Sequence, residues 1–127
     1  MKIYTSYFAQ IRNFPKDFVP VAICGGIPNW YKGLWTKMVA PKWGFFQEWK
    51  QNHDNNFYIE HFNKEVLNEI TPQDFENKLK EITNNAEIIV LLCYEKPGDF
   101  CHRHLVADWM NKAGYEVKEW NKNGIND

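Results

Sequence analysis

Short apolar runs rich in β-branched residues recur along the chain and predict β-strands. The clearest run, Ile88–Leu92, is apolar at five consecutive positions, which is typical of a strand that is buried on both faces. A second run is broken by Gly25 and Gly26, which favour a turn. Strands are predicted over residues 2–8, 19–24, 87–93 and 115–120.

Between these runs, apolar residues recur every three or four positions and predict amphipathic helices. One helix is expected to begin after Thr71, which can cap it, with Pro72 in its first turn and Asn84 at its end. Gly114 stands where another helix is expected to have its C-terminal glycine. Further helices are predicted over residues 43–51, 56–69 and 100–112, and a long loop is predicted over residues 25–41.

The order of these elements predicts an α/β fold. The strand–helix–strand pattern over residues 87–120 is a parallel crossover unit, and such units are almost always right-handed. We expect a small, mostly parallel sheet of about four strands flanked by helices, in a three-layer, Rossmann-like arrangement. The length of 127 residues predicts one domain over residues 1–127, in which residues 121–127 form a polar tail.

Unusual chemistry is concentrated where the central strand passes into the last helix. Within twelve residues the chain carries Cys93, Glu95, Cys101, His102 and Arg103. In open α/β sheets, ligands bind at the carboxyl ends of strands, and helix N-termini attract anions through unpaired N–H groups. We therefore predict an active or binding site at this junction.

Each cysteine and histidine of this segment has two interpretations. Cys101 lies near the start of its helix, where the dipole and the neighbouring cationic groups favour a thiolate nucleophile, but free cysteines are also common core residues. Cys93 is either a core residue or a ligand contact. His102 is either a proton relay or a structural, hydrogen-bonded residue. The two thiols with His102 or His104 are also a plausible set of metal ligands, although we assign no metal-binding residue.

The remaining polar residues also have two interpretations each. Glu95 can act as a general base or accept hydrogen bonds that hold the loop. Arg103 can bind a phosphate or carboxylate ligand through its planar fork, or pair with Glu95. If the first strand lies beside the central strand, the hydroxyls of Thr5 and Ser6 are expected to face the same crevice and to contact the ligand.

The uneven charge along the chain fits either chance with solvated helix faces or a basic loop that collects a phosphate-bearing ligand. The net charge is −1, yet residues 1–47 carry six basic residues and one acid, and the rest of the chain is acidic. Aromatic residues make up 17% of the chain. Most are expected in the core or in a packed loop, but those of the long loop can also stack on a planar ligand: Trp30, Tyr31, Trp35 and Trp43.

No run is long and apolar enough to span a membrane, and no signal peptide is expected. We therefore predict a cytoplasmic protein with three reduced cysteines, Cys24, Cys93 and Cys101.

The same residues resemble the hallmark of the family catalogued as domain of unknown function 488. That hallmark is a hydrophobic strand, then Cys-x-Glu, then Cys-His-Arg opening a helix near the C-terminus of a small α/β domain. It matches Leu91–Pro97 and Phe100–Leu105 here, and the Ala-Pro-Lys before Trp43 is also similar. An early Asp-x-Arg of the larger members is replaced by Cys24-Gly25-Gly26. The resemblance implies a fold and a site but no reaction.

Three hypotheses follow for function. The first is an enzyme that acts on a small phosphate-bearing or nucleotide-like molecule, with Cys101, Glu95 and His102 as catalytic residues. The second is a non-catalytic module that binds a nucleotide or a nucleic-acid end in the same pocket. The third is a structural metal site. The sequence identifies no cofactor, leaves nucleic-acid binding open and predicts no membrane partner.

Overall fold

The computed structural model describes residues 1–94 and 100–122. Within these ranges the chain forms five strands and four α-helices. They are β1 (Lys2–Tyr7), β2 (Val19–Ala22), β3 (Leu34–Trp35), α1 (Trp43–Asn52), α2 (Asn55–Glu65), α3 (Pro72–Thr83), β4 (Ile88–Cys93), α4 (His102–Lys112) and β5 (Val117–Glu119). Two 3₁₀ helices, Phe8–Asn13 and Leu67–Glu69, complete the set.

The five strands form one all-parallel sheet in the order β3-β2-β4-β1-β5. This confirms the α/β class and the parallel sheet. The first strand lies beside the central strand, with Tyr7 in register with Cys93 at their carboxyl ends. On the other side of β4, Ala22 is in register with Leu92. The carboxyl ends of β1, β2 and β4 therefore lie side by side at the same end of the sheet, which we call its carboxyl edge.

All four α-helices pack on one face, which we call the helix face. The buried cluster there combines Phe45 of α1, Phe62 of α2, Leu79 of α3 and Val106 of α4 with strand residues. The connections that contain these helices, β3 to β4 and β4 to β5, both run toward the β5 edge. Right-handed crossovers that run in the same direction along the sheet all pass over the same face. The strand order therefore explains why the four α-helices lie on one face.

The opposite face, which we call the loop face, has a different cover. The connections β1 to β2 and β2 to β3 run toward the β3 edge, so they cross this face. They contribute the 3₁₀ helix Phe8–Asn13 and loop residues such as Tyr31, which pack on Val90 and Leu92. The third layer is therefore made of a 3₁₀ helix and loops.

Local signals in the sequence were confirmed at several element ends. The side chain of Thr71 accepts a hydrogen bond from the Asp74 N–H at 3.0 Å, and Asp74 accepts one from the Thr71 N–H, which together form a capping box ahead of Pro72. Gly114 follows α4 with a φ of +98°, a conformation that favours glycine. The helix predicted over residues 56–69 ends at Glu65, and a 3₁₀ turn replaces its last residues.

Two elements were missing from the sequence prediction: β3, a two-residue strand inside the predicted loop, and the 3₁₀ helix after β1. Both are too short for a periodic pattern. Among the described helices, none combines the length and the apolar character that crossing a bilayer requires.

Candidate functional site

The sulfurs of Cys93 and Cys101 lie at disulfide-bonding distance. Cys93 is the last residue of β4 and Cys101 is the N-cap residue of α4, and both are buried. This corrects the expectation of three reduced cysteines, because two of them pair and only Cys24 of the three lies outside the disulfide. The end of β4 and the start of α4 bring the two sulfurs together. Neither the number of cysteines nor their spacing in the sequence indicates this proximity.

His102 lies against this sulfur pair with a defined orientation. Its Nε2 lies 2.8 Å from the carbonyl oxygen of Ile23, just past the end of β2, and its Nδ1 lies 3.3 Å from Cys93 Sγ. A carbonyl oxygen only accepts, so Nε2 carries the proton of the neutral ring and donates it to Ile23. The lone pair of Nδ1 therefore points toward the sulfur.

Burial keeps this imidazole neutral. Only 5% of the residue is exposed, and the ring of Phe62 packs against it with its centroid 5.6 Å away. Desolvation is the main cause that lowers the pKa of His102 to about 4, assisted by the nearby Arg103, while the hydrogen bond to Ile23 acts in the opposite direction. At neutral pH the ring is therefore unprotonated at Nδ1, whose lone pair can accept a hydrogen bond or bind a metal ion.

Three donor atoms thus converge in a small volume. The ligand atoms of Cys93, Cys101 and His102 all lie within 4.8 Å of one another. Such a group can form a disulfide, can activate a thiol by proton transfer to the imidazole, or can hold a soft metal ion. The sequence predicted that these residues belong to one site. It could not predict the hydrogen bond to the Ile23 carbonyl, because every residue has a backbone carbonyl and nothing in the sequence marks this one.

Arg103 is fully buried and paired with β5. Its Nε and Nη2 donate to the two carboxylate oxygens of Glu119 at 3.1 and 3.0 Å, and its guanidinium lies 5.7 Å from the ring centroid of Tyr7. Thr5 donates from its hydroxyl to the same carboxylate at 2.6 Å. Glu119 was therefore missed as a site residue, although an acid at the end of the last strand was a usable signal.

The two predicted hydroxyls of β1 do not share one crevice. Successive strand residues point to opposite faces. Thr5 joins the Arg103–Glu119 pair on the helix face, whereas alternation places Ser6 on the loop face. The Ser6 hydroxyl is fully buried and forms no hydrogen bond with any residue of the described ranges. The predicted catalytic Glu95 lies outside those ranges.

The family model for DUF488-N3a, described as the active DUF488-N3 subclade, matches residues 9–114. The chain belongs to the DUF488 family. The match includes the whole Cys-Cys-His cluster and Arg103. No curated protein and no solved structure matches the chain.

The start of α4 in this DUF488 protein is suited to an anion. Cys101 provides no side-chain cap, and the first turn contains no acidic residue. The helix dipole and the N–H groups of that turn favour negative charge, although the His104 N–H already donates to the Cys101 carbonyl at 3.2 Å. His104 is exposed at this end of the helix.

An aromatic cluster lies on the loop face of the DUF488 sheet, at the same carboxyl edge. Buried Phe8 contacts Trp30, Tyr31 and Tyr94 edge-on, with ring centroids between 5.1 and 6.1 Å away. Trp30 and Tyr94 are largely exposed, whereas Tyr31 is buried. The sequence predicted that most aromatic residues of the long loop are packed against the rest of the protein. Tyr31 confirms this prediction, whereas Trp30 is largely exposed.

Proposed function

We propose that this DUF488 protein is an enzyme that acts on a small phosphate-bearing, nucleotide-like molecule through the thiol of Cys101. The observation that carries the proposal is the orientation of His102, whose unprotonated Nδ1 lies 3.3 Å from Cys93 Sγ while its Nε2 donates to the Ile23 carbonyl, with the Cys101 sulfur in the same cluster of donor atoms within 4.8 Å. A thiol beside a neutral imidazole of fixed tautomer is the arrangement by which enzymes activate cysteine nucleophiles.

The active form in this proposal is the dithiol. Reduction of the Cys93–Cys101 disulfide by a thiol reductant gives two thiols, and the Cys101 proton moves to Nδ1 of His102. The Cys101 thiolate then attacks an electrophilic atom of the ligand, forming a bond to sulfur as the bond to the leaving group breaks. The imidazolium returns its proton to the leaving group, and water hydrolyses the covalent intermediate.

Cys101 is assigned as the nucleophile because of its position. It is the N-cap residue of α4, where the positive end of the helix dipole stabilises a thiolate, whereas Cys93 ends a strand and gains no such stabilisation. The first-turn N–H groups of α4 would bind the phosphate beside it. This supports the anionic ligand that the sequence suggested.

The other predicted contacts have different support. The Nε and Nη2 groups of Arg103 are used by Glu119, so we assign Arg103 to holding the first turn of α4 in place. Contacts of Arg103, Thr5, Cys93 and Ser6 with the ligand stay predictions, as does acid–base catalysis by Glu95. Cytoplasmic location also stays a prediction.

The test is turnover of a defined panel of nucleotides. Reduced protein is incubated with nucleoside mono-, di- and triphosphates, and products are separated by chromatography and identified by mass spectrometry. We expect conversion of at least one nucleotide, loss of conversion in Cys101→Ser, and strong slowing in His102→Gln. Cys24→Ser is the matched control, since Cys24 is also buried but lies outside the cluster, and it should keep activity.

Two results would overturn the proposal. Conversion of no nucleotide by the reduced protein would retire the reaction. Equal conversion by wild type and Cys101→Ser would retire the nucleophile. Binding without conversion would instead favour the second hypothesis, a non-catalytic nucleotide-binding module.

A structural metal site is the second candidate function. The observation that favours it is the His102–Ile23 hydrogen bond, because histidines that bind metals usually donate their other ring N–H to a carbonyl or carboxylate. The test is the metal content of protein purified under reducing conditions. Stoichiometric zinc that protects two of the three thiols from alkylation would support this function, and metal-free protein with three reactive thiols after unfolding would exclude it.

A further inference from the structure

The loop-face aromatic cluster combines a fixed base with two exposed rings. Phe8 is buried at its centre, and 59% of Trp30 and 50% of Tyr94 remain exposed to solvent. Both exposed rings contact Phe8 edge-on, at centroid distances of 6.1 and 5.1 Å. Both rings are thus anchored on Phe8 and keep at least half of their surface accessible to a planar group that can stack on it.

The base of this surface is rigid. The Tyr31 hydroxyl donates to the Leu34 carbonyl at 2.5 Å, and the Tyr31 ring packs against both Phe8 and Trp30. A Cβ built at Gly33 would lie 2.6 Å from the Tyr31 hydroxyl oxygen, so the absence of a side chain there permits the close approach. Because the rings are already held in place, binding would cost little ordering of side chains.

Basic residues in the same part of the chain favour an anionic ligand. The ammonium group of Lys37 lies 4.9 Å from the ring centroid of Trp35, whose indole N–H donates to the Cys24 carbonyl at 2.8 Å. Residues 1–47, which supply most of this surface, contain six basic residues and one acidic residue. Aromatic rings combined with basic residues are the features by which proteins bind bases and phosphates together.

The surface lies next to the thiol cluster along the chain. Cys93 and Tyr94 are consecutive, and their contacts place Cys93 with His102 and Tyr94 with Phe8. Since Cys93 shares the helix face with Leu91, a ligand that stacks on Tyr94 would have to cross the carboxyl ends of the strands from the loop face to reach the start of α4. Buried Ser6, which has no hydrogen-bond partner among the described residues, lies in register with Leu92 near this end.

We propose that Trp30 and Tyr94 form the platform on which the base of the nucleotide stacks. The inference rests on the proposed function and makes it more specific, because it names the heteroaromatic ring as the recognised group. Bases stack on aromatic side chains through their faces, so the platform accepts purines and pyrimidines with modest discrimination.

The experiment is a calorimetric titration of the reduced protein with AMP, GMP, CMP and UMP, and with ribose 5-phosphate as the probe that lacks a base. Calorimetry is preferred because removing a tryptophan would also change the fluorescence signal. We expect the nucleotides to bind and ribose 5-phosphate to bind at least about 5-fold more weakly. Trp30→Leu and Tyr94→Leu should each weaken nucleotide binding by about 5- to 150-fold, the range measured for loss of one base–aromatic stack.

Trp43→Leu is the matched control. Trp43 is the most exposed tryptophan, at 74%, but it begins α1 and has no ring contact with the Phe8 cluster. It should bind nucleotides as the wild type does. Equal affinity of wild type and both platform variants would overturn the inference, as would equal affinity for nucleotides and ribose 5-phosphate.

The platform and the catalytic proposal can fail separately. Cys101→Ser should retain nucleotide binding, because the thiol lies outside the stacking surface. Base-dependent binding without conversion would retain the platform and reject the enzyme. Conversion with an unchanged KM in Trp30→Leu and Tyr94→Leu would retain the enzyme and reject the platform, and the absence of binding by any nucleotide would reject the platform directly.

Discussion

Protonation of His102 should destabilise the folded protein, and the size of the effect follows from its burial. Burial lowers the pKa of His102 from 6.5 to about 4. In the unfolded chain the ring titrates near 6.5, so between pH 6.5 and 4 the unfolded state binds more protons than the folded state. The contribution of neutral His102 to the free energy of unfolding is therefore fully present above pH 6.5. It decreases as the pH falls from 6.5 to 4 and changes no further below pH 4.

The magnitude can be worked from the two pKa values. Each unit of difference corresponds to about 1.36 kcal/mol, so the full effect is about 3 kcal/mol, and about 2.5 kcal/mol is expected between pH 7.5 and 4.5. The assay is urea unfolding across this pH range without reductant, so that the Cys93–Cys101 pair is in one state. Other carboxylates and histidines also titrate here, and comparison with a variant removes their contribution.

The variant is His102→Gln, whose amide can still donate to the Ile23 carbonyl but does not titrate. Its stability should fall less steeply with decreasing pH than that of wild type, by about 2.5 kcal/mol over the range. His53→Asn removes an exposed histidine at a left-handed position that asparagine tolerates, and it should follow the wild-type curve. Parallel curves for wild type and His102→Gln would refute the claim that His102 is buried in its neutral form.

Three further predictions concern the surroundings of the site. Glu119→Gln should destabilise the protein by about 3 kcal/mol in urea unfolding, because it removes the carboxylate charge that pairs with the buried guanidinium of Arg103, whereas Asp108→Ala, which breaks an exposed pair, should cost less than about 1 kcal/mol. Thr71→Ala should cost about 1 kcal/mol through loss of the capping box. After mild oxidation, alkylation of the unfolded chain should label Cys24 alone; labelling of a second cysteine would contradict the disulfide.

The position of the site could be predicted from the sequence because its residues are local. Cys93 ends the strongest strand pattern and Cys101 begins a helix pattern, so both fall at the edge where parallel sheets bind ligands. The adjacency of β1 and β4 was an assumption at that stage, and the register of Tyr7 with Cys93 confirms it. The α/β class followed from the same alternation of patterns.

The partners of these residues could not be predicted, because they depend on strand order. Arg103 pairs with Glu119, sixteen residues away on the edge strand β5, and a pattern of alternating residues does not say which strand lies at an edge. The sequence supplied Glu95 as the nearest acid, and a pair between Arg103 and Glu95 stays a prediction because Glu95 lies outside the described residues. The placement of all four α-helices on one face could not be predicted for the same reason. It depends on the direction in which each crossover runs, and that direction is set by the strand order.

Strand order also explains why the Cys-His-Arg segment is buried at the start of its helix. His102 bonds to the chain just after β2, and the next residue, Arg103, bonds to β5. These two elements lie on opposite sides of the β4–β1 pair, so consecutive side chains tie the first turn of α4 across most of the sheet. Cys101, immediately before them, is thereby held against Cys93. A substitution that breaks either of these hydrogen bonds is expected to shift the Cys101 thiol although the substituted residue does not contact it. Arg103 and Glu119 are therefore positioning residues for the proposed chemistry.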